Sequence, residues 1–257
     1  MGWVRFTHFG ETVSFGFRRD NAIEEYVGEM FCDPSPAGRV LPFEGTHLLS
    51  PCSPTKVIAL WNNFHALSTR MGKQPPSGPL FLIKPSSAVC GHEATINRPK
   101  QYTGKIAFEG ELGIVIGRPC KEVSEIDASR FIFGFTCVND ITATQWLYED
   151  ADFQQWTRAK GCDTFACIGP CIVQRFDWRS SRVVTRVNGV ERQNYPLNDM
   201  ILSPERQVSL ISQEMTLLPG DVIAVGTSLG VGSLADGAVV EVSIEGIGTL
   251  RNTLGTI

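Results

Sequence analysis

The stretch Phe108-Glu109-Gly110-Glu111-Leu112-Gly113-Ile114-Val115-Ile116-Gly117 places two carboxylates at alternate positions ahead of an apolar, β-branched run. Such residues suit a pleated backbone, so the segment reads as a strand, and Val115 and Ile116 are too apolar for a strand at the surface. Side chains two apart on a strand share a face, which sets the roots of Glu109 and Glu111 roughly 7 Å apart, close enough to grip one divalent cation. A carboxylate pair entering a core repels itself unless a cation or a shared proton intervenes. Taken alone, two solvated glutamates at an exposed strand start explain the pair more simply. The rest of the chain has to decide between these readings.

Working outward, residues 56–61 and 80–85 are apolar runs that read as strands. Residues 124–132 begin with a cap-capable serine, carry acids in the first turn and space their apolar residues helically, which predicts a helix. Residues 133–138 resume strand and end in Asn139-Asp140, and 204–212 form a second helix candidate with Pro204 at its first position. The remainder is strand and turn. Few helices, many short strands and abundant glycine predict a mainly β (α+β) architecture rather than a doubly wound sheet. Residues 4–9 and 12–17 alternate apolar and polar, which predicts two paired strands around a Gly10-Glu11 turn. The Pro- and Gly-rich stretches 33–38 and 48–54 read as a hinge, dividing a small N-terminal β domain, 1–54, from a main domain, 55–257.

The 257-residue length suits such a division, and a net charge of -4 without a basic stripe argues against nucleic acid or an anionic membrane as partner. The partner is expected to be a small molecule. The start lacks a signal-peptide pattern and no run of about 18 apolar residues occurs, so the expectation is a soluble, cytoplasmic protein. The eight cysteines include no C-x-x-C pair, and Cys162, Cys167 and Cys171 have no nearby histidine. They read as reduced, buried small apolar residues rather than a zinc cage.

Asp140, at a strand end, is placed to lean over a site as a third acid beside Glu109 and Glu111; its alternative role is a helix cap on the polar stretch that follows. Two glutamates and an aspartate make an oxygen-only set that suits Mg²⁺, Mn²⁺ or Ca²⁺ and leaves positions open for water and substrate. Lys160 beside them would pair with a substrate carboxylate or with charge developing on an enolate, unless it is an ordinary surface lysine. The run Gly226-Thr227-Ser228-Leu229-Gly230-Val231-Gly232 offers bare amides and a hydroxyl to an anionic group, or is a plain glycine turn. It lacks the Gly-Lys-Ser/Thr ending of a phosphate loop.

In order along the chain, Leu82-Ile83-Lys84-Pro85-Ser86-Ser87, Phe108-Glu109-Gly110-Glu111-Leu112, Gly134-Phe135-Thr136-Cys137-Val138-Asn139-Asp140, Lys160-Gly161-Cys162-Asp163-Thr164-Phe165, Thr216-Leu217-Leu218-Pro219-Gly220-Asp221, Gly226-Thr227 and Glu245-Gly246-Ile247-Gly248 resemble the fumarylacetoacetate hydrolase family. The resemblance implies rolled mixed β-sheets, a homodimer, and Mg²⁺ or Mn²⁺ held at Glu109, Glu111 and Asp140. It implies substrates that are 2-oxo (di)carboxylates such as acylpyruvates and ring-cleavage products of aromatic breakdown. Lys160 would then act on the enolate, Thr227 on the far end of the substrate, and Gly226 and Lys84 as further substrate contacts. The family reactions are C–C hydrolysis, decarboxylation and enol–keto isomerisation, which share the need to stabilise an enolate.

The departure follows Trp61. Asn63-Phe64 fits the start of the family's lid helix, but Leu67 and Arg70 occupy the positions of its usual histidine and glutamate. His65 lies two residues early as a substitute proton relay, although a helix turns positions two apart well away from each other. Arg70 is a candidate for a distal carboxylate. Thr144 stands where many members carry arginine. The leading expectation is a metal-dependent C–C hydrolase; the alternatives are an isomerase, tautomerase or decarboxylase on the same substrates, or a silent member that binds a metal and a dicarboxylate.

Overall fold

The computed structural model describes residues 1–10 and 12–256; the expected turn reaches Glu11, which lies outside the described residues. The Phe108–Gly117 segment is two strands rather than one. Ile106–Phe108 belongs to a three-stranded sheet with Thr142–Ala143 and Gly232–Leu234, whereas Gly110–Ile116 lies in a 12-stranded sheet between Ile132–Asp140 and Val222–Ala224. The chain changes sheets at Glu109. Every residue of Gly110–Ile116 is buried, which is why its sequence is a continuous apolar run rather than an alternating one.

Gly110 is required where the large sheet meets the five-stranded sheet that carries Thr185, because a Cβ built on it would stand 2.0 Å from Thr185 Oγ1. Gly110→Ala is expected to cost about 1–3 kcal/mol through overpacking, read as a lower urea midpoint with an unchanged slope. An unchanged midpoint would mean that the sheets do not meet there.

Along the large sheet the order is Cys32–Pro42, Ala22–Glu29, Ser14–Arg19, Gly2–His8, Ala166–Val173, Ile132–Asp140, Gly110–Ile116, Val222–Ala224, Lys56–Trp61 and Leu80–Pro85. Most neighbours are antiparallel, but Val222–Ala224 and Lys56–Trp61 run parallel, so the sheet is mixed. A five-stranded sheet, with Arg182–Val187, Val239–Ile244 and Gly248–Leu254 at its centre, packs across Gly110–Ile116, Ile132–Asp140 and Ala166–Val173. The mainly β, rolled architecture expected from the sequence is what the chain adopts. Gly2–His8 pairs antiparallel with Ser14–Arg19 and also meets Ala166–Val173 at Trp3↔Ile172, so the sheet is continuous from the first fifty residues into the rest. Trp3 seals that junction among Phe17, Tyr26 and Phe133.

Four α-helices occur among the described residues: α1 His65–Arg70, α2 Thr144–Leu147, α3 Trp156–Lys160 and α4 Pro204–Glu214. The last is the helix expected from Pro204, and Ser203 Oγ caps it by accepting from Arg206 N at 3.2 Å. The helix expected at 124–132 is absent and is replaced by turns and a 3₁₀ segment, Ala128–Phe131. Ser124 Oγ accepts from Asp127 N and donates to Asp127 Oδ2 at 2.8 Å, closing a local turn that competes with helix. Ile126, at 92% exposure, presents no apolar face to pack. All eight cysteines are free thiols, and no helix among the described residues is long and apolar enough to cross a membrane.

Candidate active site

Strand register brings the three acids together. Gly110 pairs with Asn139, so Glu109 and Glu111 flank the end of the strand that carries Asp140, and Asp140 N donates to Glu109 O at 2.9 Å. Carboxylate oxygens of Glu109, Glu111 and Asp140 all lie within 4.8 Å of one another. Glu109 Oε1 accepts from Thr142 Oγ1 at 2.9 Å and from Lys160 Nζ at 2.8 Å. Glu111 is fully buried; its Oε2 accepts from Gly226 N at 2.8 Å, while Oε1 has no hydrogen-bond partner. Burial, then the charges of Asp140 and Glu109, push the Glu111 carboxyl well above the usual carboxylate range. A buried glutamate with one oxygen lacking a donor, grouped with two further acids, fits a hard divalent cation, and the all-oxygen donor set suits Mg²⁺, Mn²⁺ or Ca²⁺. The solvated strand start, the simpler reading of the glutamates alone, does not describe this arrangement.

Two lysines complete the cluster. Lys160, the last residue of α3, bridges Glu109 Oε1 and Asp140 Oδ2, the latter at 2.6 Å. Burial would lower its pKa, but the two carboxylates outweigh burial and raise it, so the side chain remains an ammonium. Asp140 is held below the usual range because Lys160 and Lys84 together outweigh its burial. Lys84 was expected to contact substrate; the structure instead puts its amine against the Asp140 carboxylate, Ile141 O at 3.2 Å and Phe165 O at 2.5 Å. Those three acceptors match its three hydrogens, and at 1% exposure it is a support for Asp140. Burial, reinforced by the Lys160 charge, pulls the Lys84 ammonium down against the attraction of Asp140.

A buried polar group around Gly110 fixes the strand from its other side. Gln193 Oε1 accepts from Gly110 N at 2.9 Å, and Tyr195 Oη and Thr227 Oγ1 donate to Gly110 O at 2.5 and 3.0 Å. Gln193 Nε2 in turn donates to Thr227 Oγ1 at 2.8 Å. Thr227 therefore lies beside the cluster with its hydrogen engaged and acceptor capacity left, while the Gly226 amide is taken up by Glu111 rather than free for a substrate. Gln193, Tyr195 and Thr142 escaped the sequence reading. The one available signal is that Gln193 and Tyr195 alternate on the strand Val190–Pro196 and share its buried face.

The lid region behaves differently. Asn63 is buried, donating to Val225 O at 2.8 Å and accepting from Leu202 N at 2.9 Å, which ties the start of α1 to the Gly226 loop. Leu67 packs against the core, whereas His65 and Arg70 are exposed, and among the described residues neither is hydrogen-bonded or paired to the carboxylates. The expected proton relay at His65 and carboxylate contact at Arg70 are thus not brought into the cluster in this arrangement, as the helical turn between positions 65 and 67 requires.

A mixed β-roll thus sets three converging acids, able to hold a hard divalent cation, beside a clamped lysine. Residues 56–255 match the family described as Fumarylacetoacetate (FAA) hydrolase C-terminal, and residues 1–51 match Rv2993c-like, N-terminal. The chain belongs to the fumarylacetoacetate hydrolase family. It is 41% identical over 231 residues to Protein Rv2993c of Mycobacterium tuberculosis, covering 89% of this chain and 86% of that one. It is 33% identical over 221 residues to the oxaloacetate tautomerase YisK of Bacillus subtilis, covering 81% and 72%. Among solved structures it is similar to 2-hydroxyhepta-2,4-diene-1,7-dioate isomerase from Mycobacterium marinum, with a TM-score of 0.90 and 37% identity over 99% and 98% of the two chains.

Proposed function

We propose that the chain is a divalent-metal-dependent enzyme acting on acylpyruvate-type 2-oxo acids, with hydrolysis of the C3–C4 bond as its reaction. The observation that carries this reading is the buried Glu111, which keeps one carboxylate oxygen without a hydrogen-bond partner and groups with Glu109 and Asp140. Those three residues would hold Mg²⁺ or Mn²⁺, which supplies Lewis-acid polarisation of the 2-oxo acid. In the hydrolysis, water adds its hydroxyl to C4, the C3–C4 bond breaks, and its electron pair passes to C3 as the enolate of pyruvate, which then takes a proton. The Lys160 ammonium, kept charged by Glu109 and Asp140, stabilises the negative oxygen of that enolate. Lys84 holds Asp140 from behind, and Gly226 holds Glu111. Thr227, with acceptor capacity left beside Gly110, is assigned to a substrate hydroxyl close to the acids.

A second reading, tautomerisation of an oxaloacetate-type enol, is favoured by Leu67, which fills the family histidine position with a core contact and removes the usual water activator. Both reactions use the same enolate. The test is loss of the near-ultraviolet enol band of acetylpyruvate and of oxaloacetate with and without Mn²⁺, followed by assay for acetate and pyruvate. Metal-dependent release of both products supports hydrolysis; loss of the band without cleavage supports tautomerisation; no metal-dependent change with either substrate overturns the enzymatic reading. Lys160→Met is expected to lower kcat by roughly 10²–10³-fold. His65→Ala is expected to keep kcat/KM within about threefold of the parent, and a larger loss would return His65 to the reaction path.

A further inference from the structure

Trp156 opens α3 and Lys160 closes it, four positions apart, so both project from one face of that helix. The Trp156 ring stands 6.3 Å from that of Trp61, which ends the strand Lys56–Trp61. Directly opposed residues of an antiparallel pair share a face, and the register Trp61↔Leu80, Ala59↔Leu82, Val57↔Lys84 sets Trp61, Leu80 and Leu82 on the face from which Lys84 reaches Asp140. Two separate elements therefore lead from the charged cluster to one place.

That place is a cleft of about 760 Å³ walled by Trp61, Leu80, Leu82, Tyr148, Phe153 and Trp156. Tyr148 and Phe153 are 67% and 68% exposed, large rings held in water at the rim of a pocket. Lys73 is the one charged side chain among the described residues lining it, and its ammonium lies 5.6 Å above the Trp61 ring. The aromatic walls can stack on a flat apolar group, and the other polar residues lining the cleft, Gln154, Gln155 and Thr157, are uncharged.

We propose that this cleft is the subsite for the far end of the substrate and that it takes a flat, uncharged aromatic or polyene tail. The substrate class is then the aroylpyruvates and their vinylogues, in preference to short aliphatic or dicarboxylic 2-oxo acids. The inference rests on the acylpyruvate reading of the neighbouring carboxylate cluster. Benzoylpyruvate plus water gives benzoate and pyruvate, with hydroxyl added at C4 and the C3–C4 electron pair and a proton ending on C3; no oxidant is needed.

The experiment compares kcat/KM for benzoylpyruvate and acetylpyruvate with Mn²⁺. The expected ratio is at least roughly tenfold in favour of benzoylpyruvate, falling towards one in Trp156→Ala and in Phe153→Ala. Because both substrates share any folding defect of a variant, the ratio isolates the tail. Quenching of tryptophan fluorescence by the uncleavable 2-oxo-4-phenylbutanoate against 2-oxobutanoate reads the same preference as binding, with Phe153→Ala as the variant that leaves both reporters. Tighter binding of the phenyl compound without turnover of either acylpyruvate keeps the subsite and overturns the proposed reaction. Equal binding, or a ratio near one in the parent, overturns the subsite. If a second copy of the chain covers the cleft instead, Phe153→Ala changes the elution volume but leaves the ratio at the parent value, and the assignment falls.

Discussion

Alanine in place of Glu111 is expected to abolish Mn²⁺ binding and to lower acylpyruvate turnover by at least roughly 10³-fold, about 4 kcal/mol of transition-state stabilisation. Glu111 is the deepest of the three acids and the one with a buried oxygen that has no donor. Calorimetric titration with Mn²⁺ reads the first effect and the enol assay the second; a variant that still binds the ion at parental affinity would remove Glu111 from the ligand set. The same residue predicts a pH signature. Its carboxyl is raised by burial first and then by Asp140 and Glu109, so between its ordinary and raised values the folded protein holds a proton that the unfolded chain has released. The metal-free protein should therefore lose stability as pH rises through that window. Mn²⁺, which replaces the proton, should flatten the slope, and Glu111→Gln should remove it. Thermal melts of the three samples across pH check the sign: a metal-free parent that gains stability with pH through the window contradicts it.

Lys84→Met is expected to destabilise the fold by roughly 3–5 kcal/mol, the magnitude found when one partner of a buried ion pair is removed and the other is left without its counter-charge. Lys84 is 1% exposed, and its removal leaves an Asp140 oxygen and the carbonyls of Ile141 and Phe165 without their shared donor. Urea unfolding measures the loss. A change below about 1 kcal/mol would show that Asp140 does not depend on this lysine. Lys160→Met serves as the contrast. Its ammonium also sits between two carboxylates, but Glu109 is 19% exposed at the side chain and can recover water, so a smaller stability loss accompanies a larger loss of activity.

The strands Lys56–Trp61 and Leu80–Pro85 were legible because their apolar runs are bounded by breakers, and α4 because Ser203 and Pro204 mark its start. The three acids were legible as a set only through the order of motifs around them. The break at Glu109 was not, since the demand on Gly110 comes from Thr185 on a strand far along the chain. Lys84 and Lys160 look alike in sequence; what separates them is that Lys84 faces two backbone carbonyls, and no side-chain pattern announces a carbonyl. Gln193 and Tyr195 serve Gly110 by the same kind of main-chain bond. At 124–132 the helical spacing was real, but the Ser124–Asp127 turn satisfied the backbone locally and left Ile126 nothing to pack against.

The hydrogen bond from Gly226 to Glu111 joins residues 115 positions apart, and that from Lys56 to Asp221 spans 165. Closing such loops is slow and comes late, because the entropy of the intervening chain is lost before the contact forms. On the ribosome, where synthesis proceeds from the N-terminus at about 5–20 residues per second, Glu109, Glu111, Asp140 and Lys160 all emerge before the residue that orients Glu111 exists. The nascent chain thus carries its complete set of charges for seconds without the pocket that gives them meaning. Completion of the site becomes an event of maturation, timed by the arrival of the Val222–Ala224 strand and the glycine that follows it.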